Sequence, residues 1–437
     1  MSDHHAAPSI QDRSSFERAL HLGLGRVVLF LRENSDDPFR DPIQHACCHI
    51  TAYDPQFEGT RAEYLHDVIR VTRNPSFYRD AVASALEQSG DDYDASLLFD
   101  LAGLFAADGD DDLRRRMYAK FDANAAHGDD LGATAIVDLD KASGLVHAAD
   151  KVGTLLAAGH ESRYYEYLLS VAEDAGVSVP LDVLRQAAPG RPGLSNYLAV
   201  VEATNARRAQ SKTARRDPKS VALKEFLTWL ESIETARPPV SPILWGQQAS
   251  DGDLQQVADL LLNEDRPKHL RALLRIFKNR PYPLDSKHLI RLAGHIDKVV
   301  ALSSLQALKQ IVQPEVRTFA LSLIYGSDNL AARAVGVLVK NNAPGDHALI
   351  EAMSERLQEP EAIHSFSFVA TEYYEAHPEP DSETRIMLRL YEKNPCSFCR
   401  EKTVERLLAL GAFPEWMRLE CAYDSNLEVR KMVGALA

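Results

Sequence analysis

A spacing of 31 residues in the C-terminal half of this 437-residue chain constrains its fold more than any other feature of the sequence. An apolar residue followed by lysine and an amide occurs three times at this interval, at Phe277-Lys278-Asn279, Leu308-Lys309-Gln310 and Val339-Lys340-Asn341. Periods of this length are typical of stacked helical units, because a single unit cannot bury its own apolar face. The spacing therefore predicts an array of helices that pack side by side.

The residues around this pattern predict two helices in each unit. Asp265, Asp297 and Asp328 precede the pattern at equivalent positions and are predicted to be the N-caps of three equivalent helices. Apolar residues recur in these helices at intervals of three and four, and the lysine falls in the last turn, where it complements the helix dipole. Shorter partner helices are predicted between them, over residues 286–294, 314–325 and 346–357.

Helical periodicity extends along most of the chain. Leu223, Phe226, Leu227 and Leu230 form one apolar stripe at helical spacing, and similar stripes occur in the first 200 residues. Proline and glycine fall mainly where these helices are predicted to end, and no run alternates as a strand does. We therefore predict an all-α fold, an α-solenoid of antiparallel helix pairs.

Changes in composition predict four segments. Residues 205–220 hold six basic residues, one acidic residue and no large apolar residue, which is typical of a linker. The predicted segments are a flexible tail (1–13), an N-terminal helical region of divergent repeats or a separate helical domain (14–204), a basic linker (205–220) and a C-terminal repeat array (221–437).

Charge and composition limit the partners that the chain can have. The formal net charge is −14, whereas a protein that wraps nucleic acid normally carries the opposite sign. No apolar run approaches the roughly 20 residues needed to cross a bilayer, so no membrane partner is predicted. Five unevenly distributed cysteines and the polar N-terminal tail predict a reducing, cytoplasmic location.

The middle of the chain departs from this acidity and predicts a cationic stripe. Residues 203–300 contain 17 Lys and Arg against 11 Asp and Glu. If the repeated helices line one surface, part of this set could bind an acidic peptide, a phosphate or nucleic acid. The alternative is an ordinary solvated helix face. The predicted binding residues are Arg271, Arg275, Lys278, Arg280 and Arg291.

The last repeat carries a resemblance to a known family. The segment Asp424-Ser425-Asn426-Leu427-Glu428-Val429-Arg430 resembles the Asp-x-x-x-x-Val-Arg signature of HEAT-like repeats, and Val316-Arg317 keeps its last two residues. The resemblance covers about residues 250–437, and the period is more like the short bacterial variety. It implies that Asp424 caps a helix, that Val429 enters the core and that Arg430 braces neighbouring units.

Two groups of residues have spacings found in metal sites. His45 and His49 lie one helical turn apart, and His66-Asp67 resembles the centre of the motif of HD-type metal phosphohydrolases, whose last ligand would be Asp100 or Asp130 here. The continuation Val68-Ile69-Arg70 departs from that motif. Cys396 and Cys399 have the spacing of half a zinc site, but only Cys421 follows them. Helix-surface and core-packing roles are favoured, and we predict no metal and no cofactor.

These features favour a non-catalytic protein-interaction scaffold that binds a protein partner on a helical array. Two alternatives remain open. One is a nucleic-acid-binding HEAT-like protein, similar to the HEAT-like DNA glycosylases, that uses residues 205–298. The less favoured one is a metal-dependent phosphohydrolase built on His66 and Asp67.

Overall fold

In the computed structural model, residues 7–90, 93–162, 165–211, 217–326 and 328–434 are described. Their regular secondary structure consists of α-helices and short 3-10 helices, with no strand among them. The prediction of an all-α fold is therefore confirmed for these residues. The chain divides into two compact units. Unit 1 comprises Met1–Thr213, Cys396–Glu401 and Phe413–Ala437, and unit 2 comprises Ala214–Pro395 and Lys402–Ala412. The predicted segment boundaries stay a prediction.

Unit 1 contains the helices that precede residue 213 and the last two helices of the chain. They are α1 (Arg13–Leu22), α2 (Arg26–Glu33), a 3-10 helix (Asp37–Phe39), α3 (Arg40–Cys48), α4 (Pro55–Glu58), α5 (Ala62–Arg70), α6 (Pro75–Gln88), α7 (Tyr93–Ala107), α8 (Asp111–Ala126), α9 (Ala133–Ala157), α10 (Leu168–Asp174), α11 (Pro180–Ala187), α12 (Pro192–Ser211), α25 (Glu415–Cys421) and α26 (Leu427–Gly434). α24 (Ser397–Ala409) contributes residues to both units.

Two glycines set the close packing of α9 and α12. A Cβ atom at Gly153 would lie 1.8 Å from the carbonyl oxygen of Gly193, and one at Gly193 would lie 2.2 Å from the carbonyl oxygen of Asp150. Both distances are far shorter than a van der Waals contact, so only glycine allows the two backbones to approach this closely. The crossing buries Val152 and Tyr197 beside it.

The C-terminal helices of unit 1 pack against its N-terminal helices. Ser425 N–H donates to the carbonyl of Gly23 (2.9 Å), and Arg26 Nε lies 3.0 Å from Glu420 Oε1. At the centre, Arg400 binds Asp424 through Nε (2.7 Å) and Nη2 (2.9 Å), and neither side chain is exposed to solvent. This buried bidentate ion pair fixes α24 to the turn before α26.

The residues of the HEAT-like signature lie in the turn before α26 and in α26 itself. Val429 is fully buried, as the resemblance implies. Asp424 lies too early to cap α26, which begins at Leu427, and its carboxylate accepts the N–H of Asn426 (2.8 Å) as well as binding Arg400. The side chain of Asn426 caps the helix instead by accepting the hydrogen bond from Glu428 N–H (2.8 Å). Arg430 reaches α5, where its Nη1 lies 2.7 Å from Asp67 Oδ2.

Unit 2 contains the helices between the first and second segments of unit 1. They are a 3-10 helix (Pro218–Ser220), α13 (Leu223–Glu231), α14 (Pro242–Gln248), α15 (Asp251–Leu262), α16 (Pro267–Ile276), α17 (Ser286–Ala293), α18 (Lys298–Leu308), α19 (Pro314–Ile324), α20 (Asn329–Leu338), α21 (Asp346–Arg356), α22 (Pro360–Ala376) and α23 (Pro380–Lys393). The predicted partner helices correspond to α17, α19 and α21, which each end one residue earlier than predicted.

Alternate helices of unit 2 pack against one another. α14, α16, α18, α20 and α22 form a continuous series of contacts, α17 packs on α18 and α19, and α21 packs on α23. Residues of the 31-residue pattern meet across this series. Gln310 Nε2 donates to the carbonyl of Lys278 (2.9 Å), and Lys340 Nζ donates to Gln310 Oε1 (2.8 Å). Residues one period apart in sequence are therefore neighbours in space.

The predicted caps are confirmed for two helices and wrong for the third. Asp297 accepts hydrogen bonds from the N–H groups at the start of α18, and Asp328 accepts one at the start of α20. Asp265 is not a cap, because α16 begins at Pro267 with Arg266 as its N-cap. Proline is preferred at the first helical position and holds the preceding residue extended, which moves the helix start beyond Asp265.

We expect Arg400→Met to lower the free energy of unfolding by about 3–5 kcal/mol, because Asp424 would remain as an uncompensated buried charge. Urea denaturation followed by circular dichroism measures this loss. The double variant Arg400→Met with Asp424→Leu should recover much of it. The control is Arg418→Met, which removes an exposed ion pair with Glu415 and should leave the midpoint unchanged. Equal midpoints for Arg400→Met and the control would refute this role.

Gly153→Ala should also destabilise the protein, by about 1–3 kcal/mol or more, since α9 and α12 would have to separate. The matched control is Gly252→Ala on α15, whose added Cβ would meet only Ser250 Oγ at 3.8 Å. Because alanine is the better helix former, this control should be neutral or slightly stabilising. Thermal unfolding of both variants tests the difference in sign.

Candidate binding groove

Aromatic contacts hold α13 in place and decide which of its faces is buried. The ring of Phe226 stacks on Trp245 of α14, with centroids 4.8 Å apart and an angle of 19° between the planes. Trp245 Nε1 donates to the carbonyl of Val221 (2.9 Å), and Trp229 Nε1 donates to that of Ala236 (3.0 Å). These contacts consume one face of α13, so Leu223 and Leu227 on the adjacent face are only half-buried.

A groove of about 840 Å³ lies beside this second face, between α13, α15 and the start of α16. We call it the leucine groove. Its apolar lining consists of Leu223, Leu227, Leu230, Leu260 and Leu273, and its polar lining of Lys224, Thr228, Glu231, Gln256, Asp259, Asn263, Glu264 and Arg266. Leu273 is fully buried at the floor, whereas Leu260 on the α15 wall is 43% exposed. Sequence periodicity groups the α13 leucines into one stripe but does not show that part of it lacks a covering helix.

A network of hydrogen bonds fixes one end of the groove. Arg266 Nη2 lies 2.8 Å from Glu264 Oε2, and its Nη1 lies 3.3 Å from Glu231 Oε2. Glu264 also accepts hydrogen bonds from the backbone N–H groups of Asp265 and Arg266. The hydrogen bonds from Arg266 and from these amides lower the pKa of Glu264 to about 2, so its carboxylate is charged at neutral pH. The opposite end carries the exposed Lys224.

The five residues of the predicted cationic stripe all lie in unit 2 but have different surroundings. Arg271 forms an ion pair with Asp297, and Arg280 Nη2 lies 2.8 Å from Asp251 Oδ1. Arg291 donates to His288 Nδ1 (2.9 Å). Arg275 and Lys278 are exposed at the C-terminal end of α16. Three of the five are thus engaged with neighbouring groups, and the prediction that the set binds a ligand stays a prediction.

The histidines and aspartate of the predicted phosphohydrolase motif bind separate partners. His49 Nδ1 lies 2.7 Å from Asp94 Oδ2, and its ring is 4.6 Å from that of His45. His66 is buried with Nε2 3.4 Å from Asp108 Oδ2. Asp67 is held by Arg430. Within the described ranges, no group of residues with metal-ligand spacing includes any of these four.

The two aspartates considered as a distant ligand are occupied by hydroxyl groups. Thr60 Oγ1 donates to Asp100 Oδ2 (2.6 Å), and the buried Asp130 accepts a hydrogen bond from Ser162. Asp100 lines a cavity of about 410 Å³ with Glu63 and Asp138. Burial raises the pKa of Asp100 to about 7.

The cysteines lie mainly in the interior. Cys396, Cys399 and Cys421 are buried, as is Cys47, and no disulfide is present in the described part of the chain. Free-energy gain from burial of a small, weakly polar side chain explains this placement.

Comparisons with known proteins do not identify the chain. It matches no protein-family model, no curated protein and no solved structure. In the helices that the structure describes, none is long and apolar enough to cross a bilayer. The leucine groove and the charges around it are therefore the observations that bear on function.

The raised pKa of Asp100 predicts a pH dependence of stability. Between its unfolded value of 3.8 and about 7, the native state binds a proton that the unfolded state has lost, so stability falls as pH rises through this range. Asp100→Asn removes this titration and keeps an acceptor for Thr60. We expect the stability of the variant relative to wild type, measured by urea titration, to be greater at pH 8 than at pH 4.5. Asp174→Asn, at the exposed C-terminal end of α10, is the control, and a gain independent of pH would contradict this assignment.

Proposed function

We propose that the protein is a non-catalytic interaction scaffold whose unit 2 is an α-solenoid of HEAT-like antiparallel helix pairs. The contacts between alternate helices and the hydrogen bonds that join residues one period apart support this architecture. Arrays of this kind present long surfaces to a partner, because each unit contributes equivalent positions to the same face.

The leucine groove is the observation that carries the proposal. Exposed apolar area costs about 25 cal/mol per Å², and concentrated patches of such area usually mark an interaction site. Here Leu223, Leu227 and Leu260 remain accessible on two walls of one concavity. A partner that covers them would gain this free energy on binding.

The lining favours a protein partner over nucleic acid. Leucine side chains offer no donor to a phosphate, and the nearby Arg266 is bound by Glu264 and Glu231. The nucleic-acid alternative is supported by the exposed Arg275 and Lys278. It is opposed by the ion pairs of Arg271 and Arg280 and by the net charge of −14.

We expect the full chain, used as bait in lysate of its native cells, to retain a specific protein. The bait variants Leu227→Glu and Leu260→Glu should no longer retain it. A charged group in the groove would have to be desolvated by the partner. Leu244→Glu is the matched control, since Leu244 on α14 is 49% exposed and lies outside the groove lining. Quantitative mass spectrometry of the eluates measures retention.

Retention that is equal for wild type and both groove variants would contradict this use of the groove. A salt titration of duplex DNA binding tests the nucleic-acid alternative. A steep decrease in affinity with salt that is lost in Arg275→Glu with Lys278→Glu would favour that alternative instead.

A further inference from the structure

We infer that the leucine groove binds an amphipathic α-helix of about two turns, with an acidic residue at one end and a basic residue at the other. This inference rests on the proposed function and names the class of partner segment. Four observations carry it: the size of the groove, the nature of its walls, the spacing of its leucines and the distribution of its charges.

The size of the groove matches a short helix. Two turns of α-helix are about 11 Å long and about 10 Å across. The groove, at about 840 Å³, has room for the apolar face of such a helix. The groove lies between α13 and α15, so a bound helix would pack against both of them.

The walls exclude the other common forms of bound peptide. A β-strand binds by pairing with the free N–H and C=O groups of a sheet edge, but the groove walls are helices, whose backbone groups bond within the helix. A polyproline segment binds between aromatic side chains, and the lining residues of the groove include none. A helix needs only complementary side chains.

The leucines of α13 have the spacing of a helix–helix contact. Leu223, Leu227 and Leu230 stand at i, i+4 and i+7, with Leu260 facing them from α15. Side chains at this spacing form one face of a helix and accept an equivalent face from a partner. The occupant is therefore expected to carry apolar anchors at i, i+3 or i+4, and i+7.

The charges at the two ends of the groove have opposite sign. Lys224 lies in the first turn of α13, and Glu231 lies about 10 Å further along the same helix. At that second end, the carboxylates of Glu231 and Glu264 share the single guanidinium of Arg266, and His269 Nδ1 lies 3.2 Å from Glu264 Oε2. Asp259 adds a further carboxylate to the α15 wall. An occupant with an acidic residue near Lys224 and a basic residue near Glu231 would be electrostatically complementary.

The test is selection of a phage-displayed library of 14-residue helical peptides on the immobilised full chain. Enriched sequences should carry three apolar residues at helical spacing between an acidic and a basic end. Fluorescein-labelled synthetic copies, measured by fluorescence anisotropy, should bind Leu227→Glu and Leu260→Glu about tenfold or more weakly, and Leu244→Glu as tightly as wild type. Lys224→Glu should weaken binding, and a peptide whose acidic residue is changed to lysine should restore it.

Enriched peptides without helical spacing, affinities unchanged in both groove variants, or no enrichment over an empty matrix would each overturn the inference. These failures are distinguishable from failure of the proposed function. If a native protein is retained through the groove but the peptides fail the spacing test, the scaffold stands and the helical occupant is wrong. If the peptides behave as expected but lysate yields no groove-dependent protein, the occupant class stands and the scaffold is wrong.

Discussion

Burial of apolar faces against helices one and two positions along the chain is the interaction on which unit 2 depends. Its helices are mostly between seven and twelve residues long, which is too short for stable helix formation in isolation. Leu273, Leu308 and Val335 are each almost completely shielded from water by such neighbours. A sequence period such as the 31 residues here is expected where every unit offers the next one the same apolar surface.

The leucine groove marks a place where this mutual burial is incomplete. Phe226 and Leu230 are covered, but Leu223 and Leu227 on the neighbouring face of α13 have solvent beside them. An apolar surface that is open to solvent is costly to the isolated chain and favours a complex that covers it. Glu264 and Glu231 already hold the Arg266 side chain at one end of the groove. Arg266 therefore loses little conformational entropy when a partner binds.

Local chemistry was predictable from the sequence, and contacts between distant residues were not. Asp297 and Asp328 cap their helices because a carboxylate before a helix can accept its unpaired N–H groups, a rule that needs no tertiary information. The same rule failed at Asp265, where Pro267 shifts the helix start. The leucine groove could not be predicted, because the stripe of α13 has the same periodicity whether a neighbour covers it or not. The partners of Asp67 and Asp424 depend on arginines that only the folded chain brings near.

The packing of the C-terminal helices of unit 1 on its N-terminal helices has a consequence for the order in which the polypeptide matures. On the ribosome, Gly23 and Arg26 leave the exit tunnel hundreds of residues before α25 and α26 are translated. Until then the surface on which these two helices pack is exposed to solvent. Exposed apolar surface of a nascent chain is prone to associate with the wrong partner. A truncation before Glu415 would remove both helices and make that exposure permanent, so unit 1 cannot complete its packing until α25 and α26 are made.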